Sequence, residues 1–342
     1  LVLFGSGETQ ASSGKAHEAV ARSLETTPEI AILETPAGFE LNSDRVAGAV
    51  ADFLARRLQN YQPRLSVIPA RKRNTALSPD DPQLLEPMLR ANWIFLGPGS
   101  PTYAVRQLKD SLALHYMAAR HRMGAAVMLA SAATLAFSAY TLPVYEIYKV
   151  GEEIHWKPGL DFFAAYGLSL VIIPHWNNTD GGAELDTSHC YMGLARFNPL
   201  AAMLPAGTTI LGLDEHTALI IDLQAGVCQV MGAGGVTIIR DGDERRFAAG
   251  ESFPAERLGD WRLPVGGEGI PAAAWQAAMQ AALAIPERVE AGPDEKVISL
   301  VSQRQQARLE RNWQQADQLR QKIYELGWQV LDTPEGPQLA RR

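Results

Sequence analysis

Along most of the chain, short unbroken apolar runs alternate with longer segments whose apolar residues recur at helical spacing. Residues 1–4 lead into Gly5-Ser6-Gly7, residues 30–33 into Glu34-Thr35-Pro36-Ala37-Gly38, and residues 93–96 into Gly97-Pro98-Gly99-Ser100-Pro101. Residues 65–69 follow a helical stretch at 47–58. Residues 125–129 run into Ser131, and 168–173 into His175. Strands that are apolar at nearly every position are buried on both faces, as in a parallel sheet covered by helices. Strand, turn and helix in repetition make that the expected architecture. In such sheets ligands bind beyond the carboxyl ends of the strands. The glycine-rich turns, Ser131 and His175 all fall at those ends, which predicts a cleft there.

From about Thr208 the pattern changes. Residues 210–213, 218–223, 227–231, 235–240 and 244–247 form short strands separated by turn residues, with Asp241-Gly242-Asp243 as a hairpin turn. They predict an antiparallel edge to the same domain, which is taken to span residues 1–250. Residues 251–290 are rich in Pro, Gly and Ala around one Ala-rich helix at 275–284, and predict a connector. Residues 291–342 form a small helical C-terminal domain. In its long polar helix at 297–326, Val301, Leu309, Trp313, Ala316, Leu319, Ile323 and Leu326 fall on one apolar stripe, and Gly327 stops the helix.

Composition narrows the functional classes. The chain has 342 residues, 46% of them hydrophobic, and a net charge of −7, which argues against bulk electrostatic binding of nucleic acid. Two cysteines, Cys190 and Cys228, leave no disulfide framework and point to the cytoplasm. No apolar run approaches the ~18 residues that span a bilayer, and no secretory leader pattern is present, so no membrane partner is expected. The chain opens on Leu1 within a strand, which predicts a few natural residues before it.

Ser131 follows a short apolar strand and has small neighbours, the pattern of a strand-to-helix elbow that lifts a hydroxyl clear of the sheet. Serine needs a base, and His175 is the best placed one. The histidine in turn needs a carboxylate, with Glu146, Glu152, Glu153 and Asp161 as candidates lying between the two. Backbone N–H groups at Gly99, Ser100 and Ala132 can form an oxyanion hole. Ser100 also suits an N-cap with Pro101 in the first turn. Arg196 can clamp a substrate carboxylate, and Asp186 and His189 lie on a loop expected to face substrate. Asp214-Glu215-His216-Thr217 ends a strand and is read as ordering the cleft wall. Gly5-Ser6-Gly7-Glu8 lacks both a Gly-Lys-Ser/Thr ending and the third glycine of a dinucleotide fingerprint, so no cofactor is expected. His175, Asp186, His189 and Cys190 have zinc-type side chains, but their spacing matches no closed site, and no metal is expected.

Five stretches, in order, resemble the serine-peptidase family of aspartyl dipeptidases and cyanophycinases, within the class I glutamine amidotransferase-like fold. Gly97-Pro98-Gly99-Ser100-Pro101-Thr102 resembles its oxyanion loop, Leu129-Ala130-Ser131-Ala132-Ala133 its Gly-x-Ser-Ala-Gly elbow, and Pro174-His175-Trp176 its Pro-His-aromatic motif. The Arg196 segment resembles its arginine-bearing helix, and Gly212-Leu213-Asp214-Glu215-His216-Thr217-Ala218-Leu219 its Gly-x-Asp-Glu-x-Thr-Ala-Leu strand. The resemblance implies a three-layer α/β/α sandwich with a flavodoxin-like parallel sheet and an antiparallel edge. It implies Ser131 as nucleophile and His175 as base, and spacing favours Glu152 as the acidic member, with Glu146 and Glu153 left open. The implied activity is serine-type hydrolysis of a small peptide or isopeptide amide. Two departures stand out. Leu129 and Ala133 replace the elbow glycines, and a side chain there crowds a strained turn. The alternative expectation is therefore a disarmed binding protein.

The tail resembles the C-terminal end of cysteinyl-tRNA synthetases through Arg304-x-x-Ala307-Arg308, Trp313-x-x-Ala316-Asp317-x-x-Arg320, Gly327 and Leu331-Asp332-Thr333-Pro334-Glu335-Gly336. The catalytic motifs of a synthetase are absent. The resemblance implies a docking module for tRNA or a protein; the favoured alternative is a helical pair packed on the enzyme domain. A homodimer is left open.

Overall fold

The computed structural model describes residues 1–284, 295–333 and 336–341. Contacts divide the chain into two units, Leu1–Ala284 and Ile285–Arg342.

The strands of the first unit are β1 Val2–Phe4, β2 Glu29–Leu33, β3 Arg64–Ile68, β4 Trp93–Leu96, β5 Ala126–Ala130, β6 Tyr140–Thr141, β7 Lys157–Pro158, β8 Leu170–Ile173, β9 Thr209–Leu213, β10 Thr217–Asp222, β11 Val227–Gly232, β12 Gly235–Arg240, β13 Asp243–Ala248 and β14 Ser252–Pro254. An eight-stranded sheet runs β14-β11-β10-β1-β5-β4-β2-β3. Its β1-β5-β4-β2-β3 side is parallel and its β1-β10-β11-β14 side antiparallel.

Alternate residues face opposite layers, because successive side chains leave a strand on opposite sides. Leu3, Ile94, Leu96, Val127 and Leu129 join one buried cluster with the helices Pro101–Leu108, Leu112–Arg122 and Ala132–Phe137. Phe4, Trp93, Phe95, Met128 and Ala130 join the other, with Gly14–Ser23 and Ser43–Arg57. These helices cover both faces, and the expected α/β/α layering is the one observed.

The structure differs from the sequence pattern in both units. The strand ahead of His175 is not in the main sheet. It is the edge of a second, four-stranded sheet, β13-β12-β9-β8. The side of β1 away from β5 is taken by β10, and β8 pairs in parallel with β9, which pairs antiparallel with β12 on its other side. The Asp241-Gly242 turn does form the tight hairpin, with Arg240 opposite Asp243 and φ of 52° and 83° at its two central residues.

Residues 251–284 are not a connector. They supply β14 and the helix Ala272–Ala284, which packs on Leu112–Arg122 and buries Ala274 and Ala278. Residues 285–290 of the expected connector lie outside the described residues, as do Pro334 and Glu335 of the tail motif.

The tail helix is two helices, Glu295–Leu309 and Trp313–Glu325. Arg311 turns left-handed (φ 57°), and the Asn312 side chain accepts the Gln315 N–H at 3.2 Å as an N-cap. The break resets the helical phase. Ala316, Leu319 and Ile323 stay buried, while Leu309 and Trp313 are exposed. A hairpin follows, β15 Trp328–Thr333 with β16 Gly336–Arg341, so this unit is helical only in part.

Candidate active site

Ser131 stands between β5 and the helix Ala132–Phe137 with φ 51° and ψ −114°. Few residues other than glycine adopt that conformation, and it points the side chain off the end of the sheet. Its N–H still donates to Phe4 O at 3.1 Å, so the strained residue is anchored to the neighbouring strand. Leu129 sits in register with Leu3 and Leu96, and its side chain completes a fully buried row, with Ala133 in the same cluster.

Ser131 Oγ lies 2.9 Å from His175 Nε2. His175 follows β8 and also has a positive φ, 51°. Backbone bonds to three other segments help to hold its loop. His175 N–H donates to Gly5 O at 3.3 Å, Trp176 N–H to Leu213 O at 3.0 Å, and Cys190 N–H to His175 O at 3.2 Å. Gly5, just after β1, leaves no room for a side chain, since a Cβ there would stand 2.1 Å from Asp214 O. The third bond comes from a left-handed turn in which His189, Cys190 and Tyr191 have φ of 54°, 58° and 67°.

His175 Nδ1 lies 2.8 Å from Glu215 Oε1. The carboxylate that completes the set is thus Glu215, not Glu152, Glu146 or Glu153. Glu152 is exposed and 3.8 Å from His155, and Glu146 is 3.6 Å from Lys157. Glu215 lies in the turn between β9 and β10, in the stretch read from sequence as cleft wall. Its neighbour Asp214, fully buried, accepts the Gly235 N–H at 2.8 Å and pairs with Arg246, which fixes the turn. The His175 and Glu215 side chains keep 17% and 25% of their exposure.

The expected oxyanion donors divide. Gly99 (φ 146°) presses against Pro36, whose carbonyl a Cβ would meet at 2.0 Å, and its N–H has no acceptor among the described backbone bonds. Ala132 begins its helix, where N–H groups lack intrahelical acceptors. Ser100 is excluded as a donor. Its N–H is spent on Pro36 O at 2.9 Å, and its hydroxyl caps the next helix by accepting from Tyr103 N–H at 3.2 Å.

Of the expected substrate-facing residues, Asp186 and His189 have other work. Asp186 accepts from Ser188 N–H at 3.0 Å, Ser188 Oγ at 2.6 Å and Leu194 N–H at 2.8 Å. His189 is buried, stacked on Phe197 and edge-on to Trp176, and burial lowers its pKa. Arg196 is exposed on the helix Gly193–Ala202. Cys190 is buried, which lifts its thiol to about 12, so it is inert as a nucleophile. Glu8, in the turn after β1, is 8% exposed. Burial raises its pKa, and a backbone hydrogen bond partly opposes the shift.

Among the described residues no group of three or more His, Cys, Asp or Glu is gathered to hold a metal ion. None of their helices is long and apolar enough to cross a membrane. A groove of about 600 Å³ lies along β13 and β14. It contains no nucleophile beside a base, and Arg245 and Arg246 in it are paired with Asp243 and Asp214.

No protein-family model matches the chain. The crystal structure of a peptidase from an acI-B1 Actinobacterium is similar at a TM-score of 0.59 and 20% identity, over 74% of this chain and 95% of that one. A putative peptidase E protein from Listeria monocytogenes EGD-e gives a TM-score of 0.45 and 12% identity, over 72% and 96%. A cysteine–tRNA ligase of Oenococcus oeni (strain ATCC BAA-331 / PSU-1) is 44% identical over 46 residues, 14% of this chain. The chain thus spans about a tenth of the length of that ligase. The first of these likenesses shows the fold. The first unit is a mixed α/β domain built on a parallel-dominated sheet, the architecture of a known peptidase.

Proposed function

We propose that the protein is a serine-type hydrolase of small peptide or isopeptide amides, with Ser131, His175 and Glu215 as its reacting set. The observation that carries this reading is the unbroken chain Ser131 Oγ–His175 Nε2–His175 Nδ1–Glu215 Oε1, at 2.9 and 2.8 Å, at the carboxyl end of a doubly covered sheet. In this reading His175 takes the Ser131 proton as Oγ attacks the amide carbonyl carbon. The Gly99 and Ala132 N–H groups receive the negative charge on the carbonyl oxygen. Collapse expels the amine, which leaves with the proton from His175, and the acyl group remains on Ser131. Water, deprotonated by His175, then frees the acid. Glu215 holds the imidazole in the Nδ1–H form and stabilises the imidazolium. Arg196 is the residue we assign to a substrate carboxylate.

Labelling with a fluorophosphonate probe tests the proposal. Wild type is expected to label, and Ser131→Ala to lose labelling and amide hydrolysis together. Folded wild type that does not label returns the site to a binding role.

For residues 291–342 we propose docking of tRNA or a protein partner, supported by the motif resemblance and by the 46-residue likeness to the ligase. Filter binding of bulk tRNA to the full chain should saturate at low salt and weaken as salt rises. No retention at any salt removes tRNA as the partner.

A further inference from the structure

We propose that Asn178 is a positioning residue for this site, and that with Asn177 it makes the loop after His175 a clamp on Glu215. The inference rests on the reading of the site given above. Asn177 Oδ1 accepts the Glu215 N–H at 2.8 Å. Asn178 Nδ2 donates to Glu215 Oε1 at 3.0 Å, the same oxygen that faces His175 Nδ1. Asn178 is 2% exposed. Its other end is also fixed, because the Asp180 N–H donates to its Oδ1 at 3.1 Å. That bond decides the amide orientation: the oxygen faces an N–H, so the NH₂ faces the carboxylate. The Asn178 N–H donates to His175 O at 3.2 Å, which closes the loop on the base itself.

Glu215 reaches the site from a different loop, on a side chain with three rotatable bonds and a quarter of its surface in water. Held by His175 alone, it can turn to solvent and recover rotamer entropy. A second, buried donor on the same oxygen keeps Oε1 facing Nδ1. That bond sets the tautomer. With the proton on Nδ1, Nε2 presents its lone pair to Ser131 Oγ; with the proton on Nε2, it cannot accept the serine proton. Glu8 and Asp180 also carry charge toward His175, but neither hydrogen-bonds its ring among the described bonds. The sequence places both asparagines directly after His175-Trp176, so the base and the clamp on its carboxylate travel as one loop.

The experiment is nitrogen-15 NMR of histidine-labelled full-length protein, for wild type, Asn178→Ala and Asn178→Asp, with thermal melts and fluorophosphonate labelling rates alongside. Wild type is expected to show His175 as a single Nδ1–H tautomer with a downfield Nδ1 proton. Asn178→Ala is expected to melt within a few degrees of wild type yet show mixed tautomers and label about ten to a hundred times more slowly. Asn178→Asp keeps the shape but sets a second carboxylate against Oε1, where the two must share a proton or part. It is expected to disturb the tautomer and slow labelling as well, and it decides the matter alone if the alanine variant does not fold. A folded variant that keeps the single Nδ1–H tautomer and labels within about twofold of wild type overturns the proposal. If wild type itself does not label, the hydrolase reading fails, while the tautomer comparison still decides the clamp.

Discussion

The two sheets of the first unit deliver their residues by different means. Ser131 comes off β5, which is flanked by β1 and β4 and covered on both faces, so its place is set by packing. His175 comes off β8, an edge strand with a single neighbour, and Glu215 comes from a turn. Their places are set by hydrogen bonds to Gly5, Leu213 and Asn177 and from Cys190 and Asn178. Changes around Ser131 should therefore act first on stability. Changes around His175 and Glu215 should act on reactivity and leave the fold nearly intact.

The sharpest way to break this contrast is Glu215→Gln. Loss of the carboxylate that fixes the tautomer is expected to cut labelling and turnover by about 10³–10⁴-fold with little change in melting. Glu152→Gln, away from the ring, should stay within about twofold of wild type. Equal effects of the two would refute the assignment of Glu215. On the other side of the contrast, Leu129→Ala removes the centre of a buried row and should cost about 2–5 kcal/mol in denaturant unfolding. The folded fraction should still label. Labelling lost in a variant of unchanged stability would mean that packing does not set the elbow.

A smaller effect concerns Glu8. Burial raises its folded pKa above the ordinary 4.5, so the folded state binds this proton more tightly than the unfolded chain does. Its contribution is fully present below the ordinary value and is lost as pH rises through the raised one. Glu8→Gln cannot ionise. Its melting temperature should match wild type near pH 4 and exceed it by a few degrees near pH 7.5. An offset that is the same at both values would show that Glu8 does not titrate as a buried group.

What was legible in the sequence follows the same division. The elbow is a local pattern, an apolar strand ending in Ser131-Ala132-Ala133, and it is visible in consecutive residues. The strand ends carrying Gly99 and His175 are equally local. Glu215 is 40 residues from His175, and only the pairing of β9 with β8 brings it near. It lies outside the stretch between Ser131 and His175, where spacing places the carboxylate. The signal for it is Asp214-Glu215 at a strand end, which local pattern alone reads as cleft wall. Ser100 shows the converse. Its capping role was visible in Ser100-Pro101, but the loss of its N–H to Pro36 depends on a neighbouring turn. The break in the tail helix had a local sign too, Asn312 as a cap, masked by apolar positions that suit one phase across Arg311 only by coincidence.

The turn through His189, Cys190 and Tyr191 winds against the handedness of its own amino acids, at about 1–2 kcal/mol per residue. Viewed as chemistry rather than as fold, it is a mirror-image segment embedded in an otherwise ordinary chain. A D-amino acid placed at Cys190 by semisynthesis would find its natural conformation there, whereas the same replacement one strand earlier would destroy β8. The chain keeps L residues in this position and tolerates the cost because the N–H groups of His189 and Cys190 reach the carbonyls of Trp176 and His175 from that winding.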